Sequence, residues 1–494
     1  MAKHSTAFSL TVVCLVVGNA AQPSRRSPDN SYVPSRSSNT SWVWVPQVLE
    51  GQVSEQKWAT DPWLPETIEL QSQNQQQATP WFPQQIHSSA GEDEWLPLPA
   101  VETQHRVSWT EQRPQRGKCT FIYDDVLSGH IHPFLVDAAQ EVFVYPDFVR
   151  GRQMVTLGRG STVLVACPGR NNALATVHRP YVSVTCDGSQ LRLDDTPVSW
   201  ADLRCQKKPK PTVKRDGSCG RDSQTYHIGW SIHRHLFIPQ ITACFNSRLE
   251  ASVSTAHKIH GRSIDAKVIE PSRPSFKTNR MFSVSLSRSY SKRMQKSLAQ
   301  ELLKTTQHLT TQGQEYFAKG HLAPDADFVL EAEQDATYYY VNVAPQWQAV
   351  NNGNWKSLEA TVRRFGERRQ ATLEVYTGTH GILELPDYRN RLTKLYLGQS
   401  FGKKVVPVPA LFWKVIYDPH VHNALAFVVV NDIRKSDLWN LGHPPCPDLC
   451  SRVPWVDWNT SDVTDGLTFC CSVDALRATI PQVPALGRVG LLVE

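Results

Sequence analysis

The cysteines constrain the fold of this chain more than any other residue type. The sequence contains 11 of them, and Cys14 lies in an apolar N-terminal run that we expect to be removed. The remaining ten form an early cluster of six and a late cluster of four, which are Cys119, Cys167, Cys186, Cys205, Cys219 and Cys244, then Cys446, Cys450, Cys470 and Cys471. In an exported protein such clusters predict disulfides, although the pairing within each cluster cannot be read from the sequence.

The N-terminus predicts export. A basic start precedes an apolar run from Ala7 to Val17, and Gly18-Asn19-Ala20 provides small residues for cleavage, so residues 1–20 resemble a secretory signal peptide. That run is too short for a membrane anchor, and no later segment reaches the ~18 uninterrupted apolar residues that would span a bilayer. We therefore expect a soluble, secreted, extracellular protein without membrane association.

The late cysteine cluster leaves one alternative open. Cys446 and Cys450 stand four residues apart, and together with the adjacent pair Cys470-Cys471 they could bind zinc as thiolates. Export favours oxidation over thiolate metal binding, so disulfides are the first prediction.

Composition divides the mature chain into three parts. Residues 21–116 are rich in Ser, Pro and Gln and sustain no apolar period, which predicts a disordered, propeptide-like segment. Residues 117–245 contain short strand patterns, such as 161–167 and 181–186, and predict a small β-rich region with disulfides. Residues 246–494 predict one α+β domain.

A basic, proline-broken run, K-K-P-K-P-T-V-K-R, occupies residues 207–215. Proline cannot continue a helix or a central strand, so we expect an exposed loop. This loop could contact nucleic-acid phosphates, form a processing site after Lys214-Arg215, or be only a solvated linker. The formal net charge of +6 over 494 residues is compatible with a polyanionic partner and does not demonstrate one.

Hydrophobic patterning predicts a helix and several strands in the last region. Apolar residues at helical spacing, Met294, Leu298, Leu302 and Leu303, predict a helix over 289–306. The predicted strands are Thr337–Val341, Leu373–Thr377, Leu411–Tyr417 and Ala424–Val430. The last two are dense in β-branched and aromatic residues, so we expect them to pair inside a sheet.

A second helix is predicted to begin near Asn354. Glu359 and Arg363 lie four residues apart in it and therefore share one face. Such pairs are common on protein surfaces, but here Asn351 lies in the preceding loop, N-N-G-N. Its amide can therefore sit near a helix N-terminus, where free N–H groups suit a phosphate.

His321 lies between Gly320 and a stiff turn at Pro324, which predicts a fixed imidazole. An imidazole can take a proton from water, and an amide oxygen is a hard ligand for Mg²⁺. A carboxylate can hold the waters around that ion, and a guanidinium can bind a phosphate. Together, His321, Asn351, Glu359 and Arg363 predict metal-assisted cleavage of a phosphodiester.

Three motifs match a known family. G-H-L-A-P, N-V-A-P-Q and N-x-G-N-W-x-x-L-E-x-x-V-R, which begin at Gly320, Asn342 and Asn351, resemble the sugar-non-specific DNA/RNA endonucleases of the ββα-metal, or His-Me finger, type. The resemblance covers residues 225–490. The version Y-F-A-K-G-H-L-A-P-D-A-D-F, with a long secreted N-terminal region, looks most like arthropod nucleases that degrade double-stranded RNA. The family implies an α+β fold in which an antiparallel sheet and flanking helices surround a ββα-metal core.

The resemblance implies a role for each matching residue. His321 matches the general base, and Asn351 matches the only direct protein ligand of Mg²⁺, for which Mn²⁺ is the alternative. Glu359 matches the residue that orients metal-bound water. Arg363 matches a phosphate-binding arginine, and Arg273 an upstream arginine that stabilises the transition state.

Three further residues are expected at the substrate, together with Arg363. Asn342 and Gln346 match positions that support the metal-binding loop. Lys319 replaces the arginine of the family's Asp-Arg-Gly-His, and Ala318 replaces its aspartate. Lysine keeps the charge without the forked geometry of a guanidinium, so substrate preference and rate are expected to differ while the base is retained.

The implied activity is hydrolysis of RNA and DNA without strong sequence specificity, with double-stranded RNA as the main target and 5′-phosphate products. Oligomeric state is not predicted. One alternative is a non-catalytic, secreted nucleic-acid-binding protein on the same fold. Another is a zinc hydrolase that uses the scattered histidines His130, His132, His227, His233 and His235, although no H-E-x-x-H motif occurs.

Overall fold

A large antiparallel sheet carries the elements that position the motif-rich segment. The computed structural model describes residues 117–123, 131–268, 273–310, 312–434 and 444–494. All of them belong to one structural unit, Gln75–Glu494. The predicted signal peptide, 1–20, and the propeptide-like segment, 21–116, lie outside the described residues. No helix in the described ranges is long and apolar enough to cross a membrane.

The predicted β-rich region, 117–245, is rich in strands: up to Val198 it forms two antiparallel sheets, whereas its strands from Thr212 onward join the main sheet. The strands are β1 Lys118–Ile122, β2 Phe134–Asp137, β3 Val142–Phe143, β4 Asp147–Val149, β5 Arg152–Gly158, β6 Thr162–Ala166, β7 Tyr181–Cys186, β8 Leu191–Leu193 and β9 Thr196–Val198. One sheet has the order β1-β5-β4 and the other the order β3-β2-β6-β7-β8-β9. In β7 the side chains of Val182, Val184 and Cys186 point inward, which is the period-two burial expected of a strand.

The later strands build the main sheet and several short hairpins. They are β10 Thr212–Gly220, β11 Ser223–His233, β12 Leu236–Asn246, β13 Ala251–His260, β14 Phe317–His321, β15 Val343–Trp347, β16 Thr372–His380, β17 Glu384–Pro386, β18 Leu392–Lys394, β19 Tyr396–Ser400, β20 Lys403–Pro407, β21 Leu411–Asp418, β22 Asn423–Val430, β23 Thr468–Cys471 and β24 Gly490–Leu491. Within the described ranges the main sheet has nine strands, in the order β10-β11-β12-β13-β16-β21-β22-β23, with β24 added beside β22. Strands β12 and β13 pair, for example through Thr242 and Ala256. The main sheet therefore contains strands from both sides of the predicted boundary between residues 245 and 246.

The helices are α1 Leu286–Ser289, α2 Lys292–Leu303, α3 Glu331–Asp335, α4 Gln348–Asn352, α5 Asn354–Arg369 and α6 Val473–Thr479. Helix α5 begins at Asn354, as predicted. Helix α2 is shorter than the predicted span, because Ser291 caps its N-terminus and Lys304 ends it in the left-handed conformation at φ 57°.

Helix α5 covers one face of the main sheet, and residues of α6 pack on the other face. Trp355 and Leu358 of α5 share a core with Phe412 and Ile416 of β21. The alternate residues of β21 join the core on the opposite face, with Leu476 of α6. Because side chains alternate along a strand, Lys414 faces the same side as Phe412 and Ile416, towards α5.

The ββα unit predicted from the motifs is present. Strands β14 and β15 pair antiparallel, with His321 opposite Val343, and the chain continues through α4 into α5. Helix α4 contacts both strands. The fold is therefore α+β, with a ββα unit beside an antiparallel sheet.

Three of the later strand predictions are confirmed and one is wrong. Strands β16, β21 and β22 cover the predicted segments, and β21 pairs with β22. The segment Thr337–Val341 is not a strand, because Tyr340–Asn342 form a 3-10 turn. The turn follows from the side chain of Asn342, which donates a hydrogen bond to the carbonyl of Thr337 at 3.0 Å and bends the chain back.

The predicted loop at residues 207–215 is only partly correct. Strand β10 begins at Thr212 and includes Arg215. It lies at the edge of the main sheet, a position that tolerates a preceding proline because one side of the strand needs no partner.

The cysteines are joined in disulfides. In the described residues the pairs are Cys119–Cys186, Cys167–Cys205, Cys219–Cys244, Cys446–Cys471 and Cys450–Cys470. Each bond lies within the early or the late cluster. The zinc alternative for the late cluster is therefore wrong, because a sulfur in a disulfide is not a thiolate ligand.

Candidate active site

His321 ends β14 and is enclosed by aromatic rings. Its imidazole lies 5.3 Å from the ring of Phe276 and 5.2 Å from that of Tyr338, measured between centroids. Gly320 lets this strand approach β15, since a Cβ at that position would lie 2.4 Å from Oε1 of Gln346. The glycine therefore has the close-approach role predicted for it.

The imidazole of His321 is neutral at physiological pH. Burial lowers its pKa from the ordinary 6.5 to about 4; Asp325 opposes this shift, while Arg273 and Lys319 reinforce it. The Nε2 atom is buried and has no hydrogen-bond partner among the described residues. A neutral, unpartnered nitrogen of this kind can accept a proton.

Asn342 fixes the backbone that follows His321. Its Oδ1 accepts a hydrogen bond from the backbone N–H of Ala323 at 3.0 Å, and its Nδ2 donates to the Ala323 carbonyl at 2.8 Å. The backbone N–H of Leu322 also donates to the Asn342 carbonyl at 2.9 Å. Asn342 has 0% exposure, so it holds this segment in place and cannot contact a substrate as predicted.

Gln346 and Lys319 lie beside the same strand pair. The side chain of Gln346 is enclosed, with 0% exposure, and packs over Gly320. This enclosure is also at odds with a substrate contact. Lys319 is half-buried, with its ammonium 5.3 Å from the ring centroid of Phe276, and desolvation lowers its pKa.

Asp327 joins two distant parts of the chain at the site. Its Oδ1 accepts a hydrogen bond from Arg363 at 2.7 Å, and its Oδ2 lies 2.9 Å from Nε2 of His257. Burial acts to raise the pKa of Asp327, but the hydrogen bond to His257 and the charge of Arg363 outweigh it and lower that pKa. Burial also lowers the pKa of His257. A neutral imidazole therefore donates to an ionised carboxylate, which in turn fixes the guanidinium of Arg363.

Glu359 lies one helical turn before Arg363 and remains available. Among the described residues no group forms a hydrogen bond or ion pair with its carboxylate. Burial raises its pKa to about 7, while the charges of Lys414 and Arg363 oppose that rise. The predicted pair on one face of α5 is present, but Arg363 bonds to Asp327 instead of Glu359.

Lys414 is buried, with 1% exposure, and contacts the residue that follows His321. Its ammonium donates to Oγ1 of Thr377 at 2.7 Å and to the carbonyl of Leu322 at 3.3 Å. Burial lowers its pKa, and the charges of Glu359 and Asp327 counteract that effect. A buried cation therefore lies under the residue that follows His321.

Arg273 approaches the site from a separate segment. Its Nε lies 3.8 Å from Oδ2 of Asp325, which also accepts a hydrogen bond from the hydroxyl of Tyr338 at 2.7 Å. The side chain of Arg273 is 76% exposed, so most of its donors face solvent. Its charge lowers the pKa of His321, so the two side chains interact electrostatically.

Asn351 lies in helix α4, not in a loop as predicted. Its side chain is half-buried and forms no hydrogen bond with a described residue. The junction to α5 is rigid, since Asn354 donates to the carbonyls of Asn459 at 2.9 Å and Gly466 at 2.7 Å. Gly353 is required there, because a Cβ would lie 2.6 Å from the carbonyl oxygen of Asp465.

Among the histidines that the structure describes, no zinc site is assembled. His227 is bonded to Thr242 at 3.0 Å and to Asp216 at 3.2 Å, and His132 stacks on Tyr123. His130 lies outside the described residues. In the part of the chain that the structure describes, the only close group of three or more His, Cys, Asp or Glu ligands is Asp448, Cys450 and Cys470, whose cysteines are both in a disulfide.

A family model described as DNA/RNA non-specific endonuclease matches residues 221–476, slightly more than half of the chain. The chain belongs to the DNA/RNA non-specific endonuclease family. The match includes β11 to α6, and thus every site residue described above. The matched segment begins within the predicted β-rich region, so the strands up to Val198 lie before it.

Relatives of the endonuclease occur in insects and bacteria. It is 28% identical to a salivary endonuclease of Lutzomyia longipalpis, over 65% of this chain and 73% of the relative. It is 24% identical to the salivary protein Tsal2A of Glossina morsitans morsitans, over 74% and 92%. A nuclease of Serratia marcescens is 31% identical over 113 residues, 22% of this chain and 39% of that protein.

One solved structure is also similar to the endonuclease. A chain in the crystal structure of the EndoG/EndoGI complex has 17% sequence identity and a TM-score of 0.31, over 50% of this chain and 83% of that chain. A similarity at this level is too low to define the fold.

The donor set of the endonuclease fits a hard divalent cation. Asn351 offers an amide oxygen, and Glu359 offers a carboxylate without a protein partner. Mg²⁺ takes oxygen ligands, keeps several waters and needs few protein groups, whereas structural zinc requires a closed set of nitrogen or sulfur ligands. In the described part of the chain, no close group of three or more His, Cys, Asp or Glu ligands includes Glu359, so the two oxygen donors suit the first kind of ion better than the second.

Sequence reasoning missed His257, Asp327 and Lys414. The motif D-A-D-F contains Asp327 and the segment V-P-A-L-F-W-K-V-I contains Lys414, but neither was assigned a role. The only signal for Lys414 was a charged residue in the middle of an otherwise apolar inner strand, where an unpaired charge is costly. His257 carries no comparable signal.

Proposed function

We propose that this protein is a secreted endonuclease that requires a divalent metal and hydrolyses phosphodiester bonds in RNA and DNA with little sequence preference. Mg²⁺ is the proposed ion, double-stranded RNA the main substrate, and 5′-phosphates the products. Family membership supports nuclease activity. The metal ion and the roles of the residues rest on the chemistry of the site, whereas the preference for double-stranded RNA and the 5′-phosphate products rest on the resemblance of the motifs.

The unpartnered Nε2 of His321 is the observation that carries the proposal. A buried polar atom normally has a hydrogen-bond partner, so an orphaned one in a rigid ring cage suggests a group kept free for a reaction. Because the pKa of His321 is about 4, the imidazole is neutral and can take a proton from an attacking water. The clamp from Asn342 to Ala323 keeps the chain behind this base from shifting.

Asn351 would hold the metal directly, and Glu359 would hold it through water. When bound, the ion would supply positive charge that stabilises the phosphate oxygens and the departing 3′ oxygen. The chain's own residues supply the remainder. Glu359 orients water, since its carboxylate is not engaged elsewhere.

Two arginines would bind the phosphate. Arg363 is held by one nitrogen on Asp327, so its remaining N–H groups have a fixed direction. Arg273 is largely exposed and its charge acts on His321. Its guanidinium can therefore stabilise the negative charge that develops on the phosphate in the transition state. Contacts with backbone phosphates carry no base information, which supports weak sequence specificity.

Secretion and substrate class rest on supporting features. The N-terminal sequence resembles a signal peptide, disulfides occur, and several relatives are described as salivary proteins. The preference for double-stranded RNA comes from the resemblance in the motif around His321.

The purified secreted protein should be incubated with matched double-stranded RNA and DNA. We expect hydrolysis of both, faster for RNA, that stops with EDTA and returns with Mg²⁺ but not with Zn²⁺. His321→Ala should lower the rate at least ~10²-fold, because general-base catalysis contributes about that much or more. His227→Ala, a histidine on β11 with two partners of its own, serves as the control and should retain activity.

Near-normal turnover by His321→Ala would reject the assigned base. Binding of nucleic acid without any hydrolysis by the unsubstituted protein would favour the non-catalytic alternative.

A further inference from the structure

The lysines that precede strand β10 are rigidly held. The disulfide Cys167–Cys205 fixes the chain just before them. Asn172 then accepts a hydrogen bond from the backbone N–H of Lys207 at 3.0 Å and donates to its carbonyl at 2.9 Å. The backbone N–H of Lys210 donates to the carbonyl of Pro168 at 3.0 Å. The segment 207–210 is therefore a fixed surface and not a loose linker.

Lys208 attaches this segment to the endonuclease body. Its ammonium lies 2.6 Å from Oε1 of Glu331 and 2.7 Å from Oδ2 of Asp335, both on helix α3. Both carboxylates are largely buried, so the two ion pairs are shielded from solvent. Lys208 therefore anchors the segment through these ion pairs and is not the residue that we expect to bind a ligand.

Helix α3 leads directly to the wall of the active site. Three residues after Asp335, the carbonyl of Tyr338 accepts a hydrogen bond from the N–H of Lys277 at 3.0 Å, and the Lys277 carbonyl accepts one from Tyr340 at 2.9 Å. Phe276, next to Lys277, packs on His321. Lys277 therefore connects the lysine segment with the ring cage of the base.

Lys210 and Lys277 present charge to solvent. Both are exposed, and the ammonium of Lys277 lies 5.0 Å from the ring centroid of Tyr339. Partial burial lowers the pKa of Lys277; Asp335 opposes this, and the neighbouring charges of Lys210 and Lys208 add to it. Lys210 lies two residues after Lys208, which is bonded to helix α3, and Lys277 is bonded to the chain just after that helix, so the lysines belong to one surface. The carboxylates of Glu331 and Asp335 on this surface are already engaged by Lys208. A polyanion would relieve the repulsion between the lysine charges.

We propose that Lys210 and Lys277 form a phosphate-binding surface for the part of a nucleic-acid substrate that extends beyond the cleaved bond. This proposal rests on the proposed function, whose substrate it extends. Lys210 lies before residue 221, outside the segment matched by the family. The β-rich region therefore contributes a substrate contact of its own, and long substrates gain from it while very short ones do not.

The experiment separates binding from cleavage. Lys210→Ala, Lys277→Ala and the double variant should be made in the full-length secreted protein, both with His321 intact and in the His321→Ala background. In that background, binding of a fluorescent duplex is measured by anisotropy over a range of salt concentrations. Each lysine should reduce the slope of log affinity against log salt by about 1, and the double variant should bind on the order of tenfold more weakly.

In the intact background, the same variants should raise KM for a long duplex with little change in kcat. For an oligonucleotide too short to extend from the catalytic site to the two lysines, the kcat/KM of the variants should match that of the unsubstituted protein. Arg221→Ala is the matched control, since Arg221 is exposed at the far end of β10, about 30 Å from Thr212 by strand rise. Its salt slope and KM should not change.

An unchanged salt slope in the double variant would overturn the proposal, as would an equal loss on short and long substrates. Both lysines are exposed, so misfolding is not expected, and circular dichroism checks it. Absence of cleavage by the unsubstituted protein would reject the proposed function instead. The binding measurement would still decide whether the surface exists, because it uses a variant without the base.

Discussion

The segment Leu322–Asp327 and the face of helix α5 that carries Glu359 and Arg363 meet where Arg363 bonds to Asp327, yet Glu359 differs from the polar groups of the segment. In the segment, Ala323 is bonded to Asn342 through both its N–H and its carbonyl, and Asp327 is bonded through both oxygens. On α5, Glu359 has no partner among the described residues. His321, at the start of the segment, also keeps Nε2 unpaired.

On the proposed function, the bonded groups of Asp327 and Asn342 fix the geometry, and Nε2 of His321 and the carboxylate of Glu359 are the groups that react. A buried donor or acceptor without a partner costs about 1–3 kcal/mol, so unpaired groups persist where something else compensates for them. Here the hydrogen bonds of Asp327 and Asn342 hold Arg363 and the backbone after His321 in fixed positions. Nδ1 of His257 and the side-chain amide of Gln346 are also buried without a partner among the described residues, so an unpaired atom alone does not mark a reacting group. Substitutions of the bonded residues should therefore have larger effects than substitutions that only alter the surroundings of His321.

Loss of Asp327 should have the largest effect. In Asp327→Ala the guanidinium of Arg363 and the imidazole of His257 lose their shared acceptor in a buried position. Removing one partner of a buried charge pair typically costs about 3–5 kcal/mol. We expect a loss of that size in the free energy of unfolding, measured with denaturant. We also expect kcat/KM to fall at least ~10²-fold, because the guanidinium of Arg363 is no longer held in one orientation.

A matched control for this variant lies on the same helix. Arg364 pairs with Asp457 at 2.6 Å, but both side chains are about half exposed. Asp457→Ala should therefore cost about 1 kcal/mol or less and leave activity unchanged. Equal losses of stability in the two variants would show that the buried network has no special role.

Lys414→Met should have an intermediate effect. Methionine fills the buried space but removes the donor to Leu322 and the charge near Glu359. We expect kcat to fall on the order of tenfold with little change in KM, because Lys414 contacts the catalytic segment and not the substrate. The folded fraction should be checked by thermal unfolding, since Thr377 and the Leu322 carbonyl both lose a buried donor. A change confined to KM would contradict this assignment.

The smallest effect should be a shift in pH dependence. His321 must be neutral to act, and its pKa is about 4, so activity should persist well below the ordinary histidine pKa of 6.5 and decline as pH approaches 4. Lys319 contributes to that low pKa. In Lys319→Ala the acid limb of the kcat/KM profile should therefore move to higher pH.

The same pKa has a consequence for stability. Because the folded-state pKa of His321 lies below the unfolded value near 6.5, the unfolded chain binds a proton first as pH falls. The neutral imidazole's contribution is thus fully present above pH 6.5 and is lost as pH falls towards 4. His321→Ala should flatten the pH dependence of unfolding in this window, and an unchanged slope would contradict the assigned pKa.

Much of the site was accessible from the sequence because its elements are local. Helical spacing placed Glu359 and Arg363 on one face, and α5 begins at Asn354 as predicted. The strands β16, β21 and β22 followed from β-branched and aromatic runs. The strand predicted at Thr337–Val341 failed because a side chain, Asn342, bends the backbone through bonds to residues that lie before it in the chain. Local propensity does not include such bonds.

The sequence by itself determined the residue types at the site, their order and the period of the elements that carry them, since these depend on neighbours along the chain. Only the tertiary structure decided which charges meet. His257 and Asp327 are 70 residues apart, and Lys414 lies 92 residues from the carbonyl it contacts. Contacts over such separations depend on strand order and sheet face, and these are set when the whole core packs.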